Sequence, residues 1–237
     1  MAMPQPARPE RPEEGRVTAM PVRAISPEEE RNVLVDAAER SVASPMAMGL
    51  TTFGITTFLA GIVGVGWYYP ESLGFLVPVG FFFGGIVQLL AGMWGFRKRD
   101  NMSATLFTSY GAFWLTLSTL MAGIGTGAIA LTGGAVMGVL GFFFAIWAAV
   151  SLYLWIASMA DSVSLTVVTG LLFAASVILA VGAFTDTRGV IVAGSAVAIA
   201  SGLAAWYAAG AHLIHSTFER EVFPVWRTRR SHTEMPR

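Results

Sequence analysis

The residues that could do chemistry inside this chain are uncharged. Six apolar stretches between residues 47 and 213 hold no Asp, Glu, Lys or Arg, and their polar groups include Thr51, Thr52, Thr56, Thr57, Gln88, Thr108, Ser109, Tyr110, Thr116 and Ser118. A moving cation needs a fixed counter-charge, so the missing carboxylate argues against proton pumps and cation transporters. Hydroxyls, one amide and aromatic rings suit a small, weakly polar solute. They also suit an anion if backbone N–H groups at helix ends face it. Enzyme chemistry finds no support, with no carboxylate pair and no Ser with a base in reach. The chain has no cysteine, which removes thiol catalysis, disulfides and thiolate metal sites. His212 and His215 are three apart, but no third ligand stands nearby, and interfacial packing suits them better. No metal and no cofactor are expected.

The most informative polar group sits in a pattern. Gly80, Gly84, Gln88 and Gly92 recur every four residues, which sets them on one helix face where small residues admit a neighbouring backbone. Helix packing alone accounts for the glycines. For Gln88 two roles stay open, a lone interhelical hydrogen bond or the lining of a path. Arg97, Lys98 and Arg99 close this helix at a membrane surface. Thr108, Ser109 and Tyr110 then return to the apolar layer, where polar groups must face protein or water. Tyr110 also suits the part of an ordinary packed aromatic.

The elements that hold these residues follow from hydropathy. Of the 237 residues 54% are hydrophobic and 13% charged, against about 25% charged in soluble domains. Mean hydropathy is +0.62. At about 20 residues per crossing, six transmembrane helices are expected near 47–68, 74–96, 104–126, 134–157, 163–184 and 190–213. The fold class is thus an all-α integral membrane protein. Six Arg precede the first span, three basic residues lie in the second loop and five Arg follow the last span. Only Arg188 falls on the other side, so the positive-inside rule sets both termini in the cytoplasm.

Residues 1–43 read as a polar cytoplasmic tail, partly disordered, with a short helix at 27–40. Ser26 is its N-cap, Pro27 its first turn, and Glu29 can reach back. No apolar run occurs there, so no cleaved signal peptide is expected. Residues 44–218 form the transmembrane domain and 219–237 a basic cytoplasmic tail. Net charge is +0 with the charges in tails and turns, so the partner is a lipid bilayer and no nucleic acid is expected. Gly80-Phe81-Phe82-Phe83 recurs as Gly141-Phe142-Phe143-Phe144. An inverted three-plus-three repeat would pair the second span with the fifth rather than the fourth, and no internal repeat is inferred.

Two runs carry a resemblance. Gly84-Gly85-Ile86-Val87-Gln88-Leu89-Leu90-Ala91-Gly92 and Phe107-Thr108-Ser109-Tyr110-Gly111-Ala112-Phe113-Trp114-Leu115 resemble the acetate uptake transporters, also called succinate–acetate permeases. The likeness covers about residues 44–224, ending near Val222-Phe223-Pro224. Where that family has Asn-Pro-Ala-Pro-Leu-Gly-Leu, this chain has Ser44-Pro45-Met46-Ala47-Met48-Gly49-Leu50, which keeps Pro45, Gly49 and Leu50. A Glu common near the end of the second span is Gly95, and a following Gly-Asn is Arg99-Asp100. The resemblance implies six-helix protomers assembled as hexamers in the cell membrane, each with its own path for acetate and, in some members, succinate. It implies a hydrophobic constriction of Phe53, Tyr110 and Leu172. Such a ring is a gate that a hydrated ion crosses reluctantly. Acetic acid titrates near the pKa of Glu, so mildly acidic medium supplies its neutral form without a protein base.

Three functions fit the residues. The first is a permease for acetate and related monocarboxylates. The second is a channel for small neutral solutes such as urea or ammonia, which a charge-free path admits equally. The third is a non-transporting scaffold whose glycine faces serve assembly. The run Phe107 to Leu115 favours the first over the second.

Overall fold

The computed structural model describes residues 25–40, 42–67, 73–226 and 228. The disorder expected in the tail ahead of the helix at 27–40 falls on residues 1–24, outside those described. The chain divides into two units, Met1–Ser41 and Val42–Arg237. In the first, helix α1 (Pro27–Arg40) starts with a capping box. Ser26 N donates to Glu29 Oε2 at 2.8 Å, and Glu29 N donates to Ser26 Oγ at 3.1 Å, satisfying two N–H groups that a helix start leaves free.

The second unit is all helix among the described residues. Its elements are α2 (Met46–Val65), α3 (Leu73–Val79), a π-helix (Gly80–Val87), α4 (Gln88–Arg97), α5 (Asn101–Gly125), α6 (Gly134–Ser158), α7 (Val163–Phe184) and α8 (Arg188–Phe218). Five helical stretches are long and apolar enough to cross a membrane: Met46–Val65, Gly74–Arg97, Gly134–Ser158, Val163–Phe184 and Arg188–Phe218. α5 is 25 residues long, as long as α6, but its hydroxyls and Tyr110 make it less apolar. Its Phe107, Tyr110, Phe113 and Trp114 are all buried.

The single helix expected over 74–96 occupies Leu73 to Arg97 and changes form twice. Pro78 lies inside α3, where it lacks an N–H and its ring crowds the carbonyl one turn back. Two residues later the backbone widens into the π-helix, whose sequence GFFFGGIV holds three glycines. A segment that has already lost one hydrogen bond and is glycine-rich gives up little by widening. Such widened turns are frequent at functional sites.

Glycines set how closely the helices pair. A Cβ on Gly95 would lie 2.6 Å from Ala104 N, and one on Gly111 would lie 2.9 Å from Leu89 N, so α4 and α5 meet backbone to backbone. Gly61 meets Ser195 O and Ile199 N on α8, Gly182 meets Ile191, and Gly141 meets Phe184. These pairs run antiparallel. One end of the bundle therefore gathers the turns 97–101 and 158–163 and the chain after 218. The other end gathers Gly66 and the turns 125–134 and 184–188. The first is the Arg97 end, the second the Arg188 end.

At the Arg97 end, α4 stops in a Schellman turn. Arg99 takes φ 56°, Asp100 N donates to Gly95 O at 3.0 Å and Arg99 N to Phe96 O at 3.1 Å. Glycine usually fills that left-handed position, so Arg99 is strained there. Asp100 then caps α5 by accepting from Ser103 N at 3.0 Å. The C-terminal segment returns to the same end. Trp226 O accepts from Val163 N at 3.1 Å, Val225 O accepts from Ser164 N at 3.4 Å, and Tyr207 donates to Pro224 O at 2.8 Å. It thus satisfies two first-turn N–H groups of α7.

Candidate solute path

A cavity of about 260 Å³ lies inside the bundle. The residues that line it come from the Arg188-end half of six helices: Thr57 to Gly64 on α2, Leu76 and Val77 on α3, Tyr110 to Met121 on α5, Leu140 and Phe144 on α6, Leu172 to Leu179 on α7, and Ile191 to Ala198 on α8. No charged residue lines it. Its polar groups are hydroxyls, from Thr57, Ser118, Ser176 and Ser195 around the walls and Tyr110 at the deep end. Ser176 donates to Leu172 O at 2.9 Å.

Tyr110, Phe113 and Leu172 form the floor, at mid-height. The Phe53 ring stands edge-on to Tyr110 with centroids 5.7 Å apart and an interplanar angle of 85°. Phe53 and Tyr110 are each 2% exposed and Leu172 7%. The three constriction candidates therefore sit together, two of them on the cavity itself. Beneath them, toward the Arg97 end, large side chains pack together. Leu50, Phe107, Leu154, Leu165 and Val168 are fully enclosed and belong to one core cluster with Phe53, Tyr110 and Leu172.

Tyr110 is held by a group that sequence reading missed. Its hydroxyl is hydrogen-bonded to Ser151 Oγ on α6. Ser151 donates its single proton to Trp147 O at 2.6 Å, so the tyrosine is the donor. The Trp147 ring lies tilted against the Tyr110 ring, with centroids 5.3 Å apart and an interplanar angle of 42°, and Phe113 meets both rings at 5.6 and 5.2 Å. Aromatic contact thus fixes the Tyr110 ring across the junction of α5 and α6. The signal in the sequence is Trp147 and Ser151 four apart on one face of α6. Their partner across the bundle is not written in their spacing.

The polar candidates Gln88, Thr108 and Ser109 do not line this cavity. Gln88 is fully buried, and neither atom of its amide has a hydrogen-bond partner among the described residues. Gly84 meets Thr56 and Trp114, and Gly92 meets Thr108. Gln88, between those two glycines, is therefore level with Phe53 and Tyr110. Thr108 Oγ1 turns toward Gly92 between α4 and α5 and is likewise unpartnered, and Ser109 is half-buried. Gly80 abuts Ser118 and Trp114. At the start of α2, Pro45 is buried and accepts from Gly49 N at 2.9 Å. The Phe107 ring occupies the space a Cβ on Gly49 would need, and Leu50 is 1% exposed. His215 Nδ1 is buried without a hydrogen-bond partner among the described residues. No cluster of metal-ligating side chains occurs among the described residues.

Comparison with known proteins agrees with this architecture. The family model described as the GPR1/FUN34/yaaH family matches residues 29–226. The succinate-acetate/proton symporter SatP of Escherichia coli K12 is 29% identical over 184 residues, covering 78% of this chain and 95% of the relative. Acetate permease A of Emericella nidulans is 29% identical over 215 residues, covering 82% of this chain and 72% of the relative. The solved structure of the bacterial acetate channel SatP superposes with a TM-score of 0.71 at 29% identity, covering 78% of this chain and 99% of that one. These are named as a symporter, a permease and a channel, none of them an enzyme. With its apolar helices, the chain is a multi-pass membrane protein, and it belongs to the GPR1/FUN34/yaaH family.

Proposed function

We propose that this protein moves acetate and related small monocarboxylates, and also the dicarboxylate succinate, through a path within each protomer. The observation that carries this reading is a charge-free cavity that ends on Tyr110 and Leu172, with the Phe53 ring edge-on against Tyr110. A carboxylate that must cross three apolar or aromatic side chains sheds its water there, and the constriction acts as a dewetting barrier rather than a ligand site. The similarity to SatP and to acetate permease A supports a carboxylate as the solute. Gln88, level with the constriction and without a partner among the described residues, lines the continuation of the path beyond the cavity together with Thr108 and Ser109. Gly80, Gly84 and Gly92 hold α4 and the π-helix against α5. Pro45, Gly49 and Leu50 close the Arg97-end half.

The same reading takes residues 44–218 as a six-span domain, with α5 as the sixth crossing, and residues 1–43 and 219–237 as cytoplasmic tails. The basic residues at the Arg97 end and in the tails support this orientation. Only 17% of the apolar window of Gly134–Ser158 is buried within the protomer, which supports lipid or neighbouring protomers around it. A hexamer is the assembly that the family resemblance implies.

The test is uptake of labelled acetate into proteoliposomes, with urea and ammonia as controls. Acetate uptake above empty vesicles, with urea excluded, is expected. Equal passage of all three would make the path a neutral-solute channel. Passage of none would leave a scaffold.

A further inference from the structure

Arg188 is the one basic residue at its end of the bundle among the described residues and takes no part in the path described so far. It opens α8, and the residues three, seven and ten positions on, Ile191, Ser195 and Ala198, all line the cavity. At helical spacing these four share one stripe, so Arg188 continues the cavity wall to its rim. Its Nη1 donates to Gly64 O at 2.8 Å, and Gly64 is itself a lining residue. A Cβ on Gly66 would lie 2.7 Å from Nη2, so the guanidinium rests on the left-handed turn that ends α2. One hydrogen bond leaves a five-donor group with donors to spare. The residue is exposed. Asp186 is the other charged residue described at this end, and no ion pair joins it to Arg188 among the described residues. Glu71 lies outside them.

We propose that Arg188 captures the anionic solute: its guanidinium draws a carboxylate to the cavity rim, from which the solute passes to the hydroxyls of the wall. This rests on the carboxylate reading. A planar, permanently charged fork matches a carboxylate in shape and charge. The wall below it is neutral, so this charge is the local source of attraction for an anion and of repulsion for a cation. The geometry suits capture rather than storage. The guanidinium is anchored on α2 at the rim, where water competes for the carboxylate, so the solute is held loosely and released inward.

Electrostatic attraction raises association rates by about ten- to a thousandfold in strongly focused sites, and salt erases it. One exposed charge belongs at the low end, and its reach falls to about 10 Å at 0.1 M salt. The experiment is acetate uptake by full-length protein in proteoliposomes at near-neutral pH, in low and high salt. It compares wild type, Arg188→Gln and Arg188→Lys. In low salt Arg188→Gln is expected to raise the KM for acetate severalfold with an unchanged maximal rate. High salt should close the gap, and Arg188→Lys, which keeps the charge, should behave nearly as wild type. An Arg188→Gln variant with wild-type KM in low salt would overturn the proposal. So would a fall in maximal rate, independent of salt, that Arg188→Lys fails to restore, because the clasp on Gly64 would then be the whole role. Wild-type vesicles that take up no acetate would remove the transport reading, and this inference with it.

Discussion

Gln88 carries an amide in a place where the protein offers it nothing. It is 0% exposed, and both amide atoms lack partners among the described residues. A buried polar group left unbonded costs about 1–3 kcal/mol, so a role in packing alone would be a poor use of glutamine. Leucine keeps the approximate volume and removes donor and acceptor. Gln88→Leu is therefore expected to melt at the wild-type temperature or above, while acetate uptake falls severalfold. Well-expressed Gln88→Leu with normal uptake would reduce the residue to packing. Its depth was legible from the four-residue spacing with Gly84 and Gly92, because spacing alone sets a face. Ser151 was not legible. It is one serine in an apolar helix, and it matters because the α5–α6 register brings it to the Tyr110 hydroxyl.

Helix pairs show a different balance between pattern and form. Where α4 meets α5, a Cβ on Gly92 would lie 2.6 Å from Thr108 N and 3.1 Å from its Cα. Backbone cannot step aside as a side chain can, so Gly92→Val forces the two helices apart. Overpacking of this kind costs about 1–3 kcal/mol or more. A melting temperature several degrees lower in detergent is expected. Gly74→Ala is the control, since nothing lies within 4 Å of its Cβ site, and it should melt as wild type does. The sequence pattern announced these close approaches. It did not announce the π-helix, because glycines every four residues read alike on either form of helix. The cue was Pro78 just upstream, whose missing N–H starts the departure. The apolar stretches likewise located the helix ends to within a few residues except in α8. That helix runs 31 residues to Phe218, about 47 Å at 1.5 Å per residue, well past the hydrocarbon core.

At the scale of the whole molecule, the helices of the second unit form a bundle with a cavity in its Arg188-end half, and both orientation and selectivity are testable. The chain lacks cysteine, so single cysteines report cleanly on sidedness. In intact cells Thr185→Cys, at the Arg188 end, is expected to react with an impermeant thiol reagent, whereas Glu221→Cys should be protected. The reverse pattern would invert the topology. Composition and basic residues sufficed to suggest the topology, because charge at a membrane surface is a property of sequence. The cavity was not legible, since it is the space left between six helices, α2, α3, α5, α6, α7 and α8, above Tyr110 and Leu172.

The claim that the solute passes within the protomer, at the ring of Phe53, Tyr110 and Leu172, meets its sharpest test in Leu172→Ala. The change removes three carbons from one side of the cavity floor. Uptake of acetate and of lactate is measured in proteoliposomes for both proteins, together with melting temperature. A higher lactate-to-acetate ratio with acetate uptake maintained is the expected result. If Leu172 is only packing between helices, the change leaves a cavity costing about 2–5 kcal/mol by analogy with soluble cores. Lost stability with an unchanged lactate-to-acetate ratio would contradict the account.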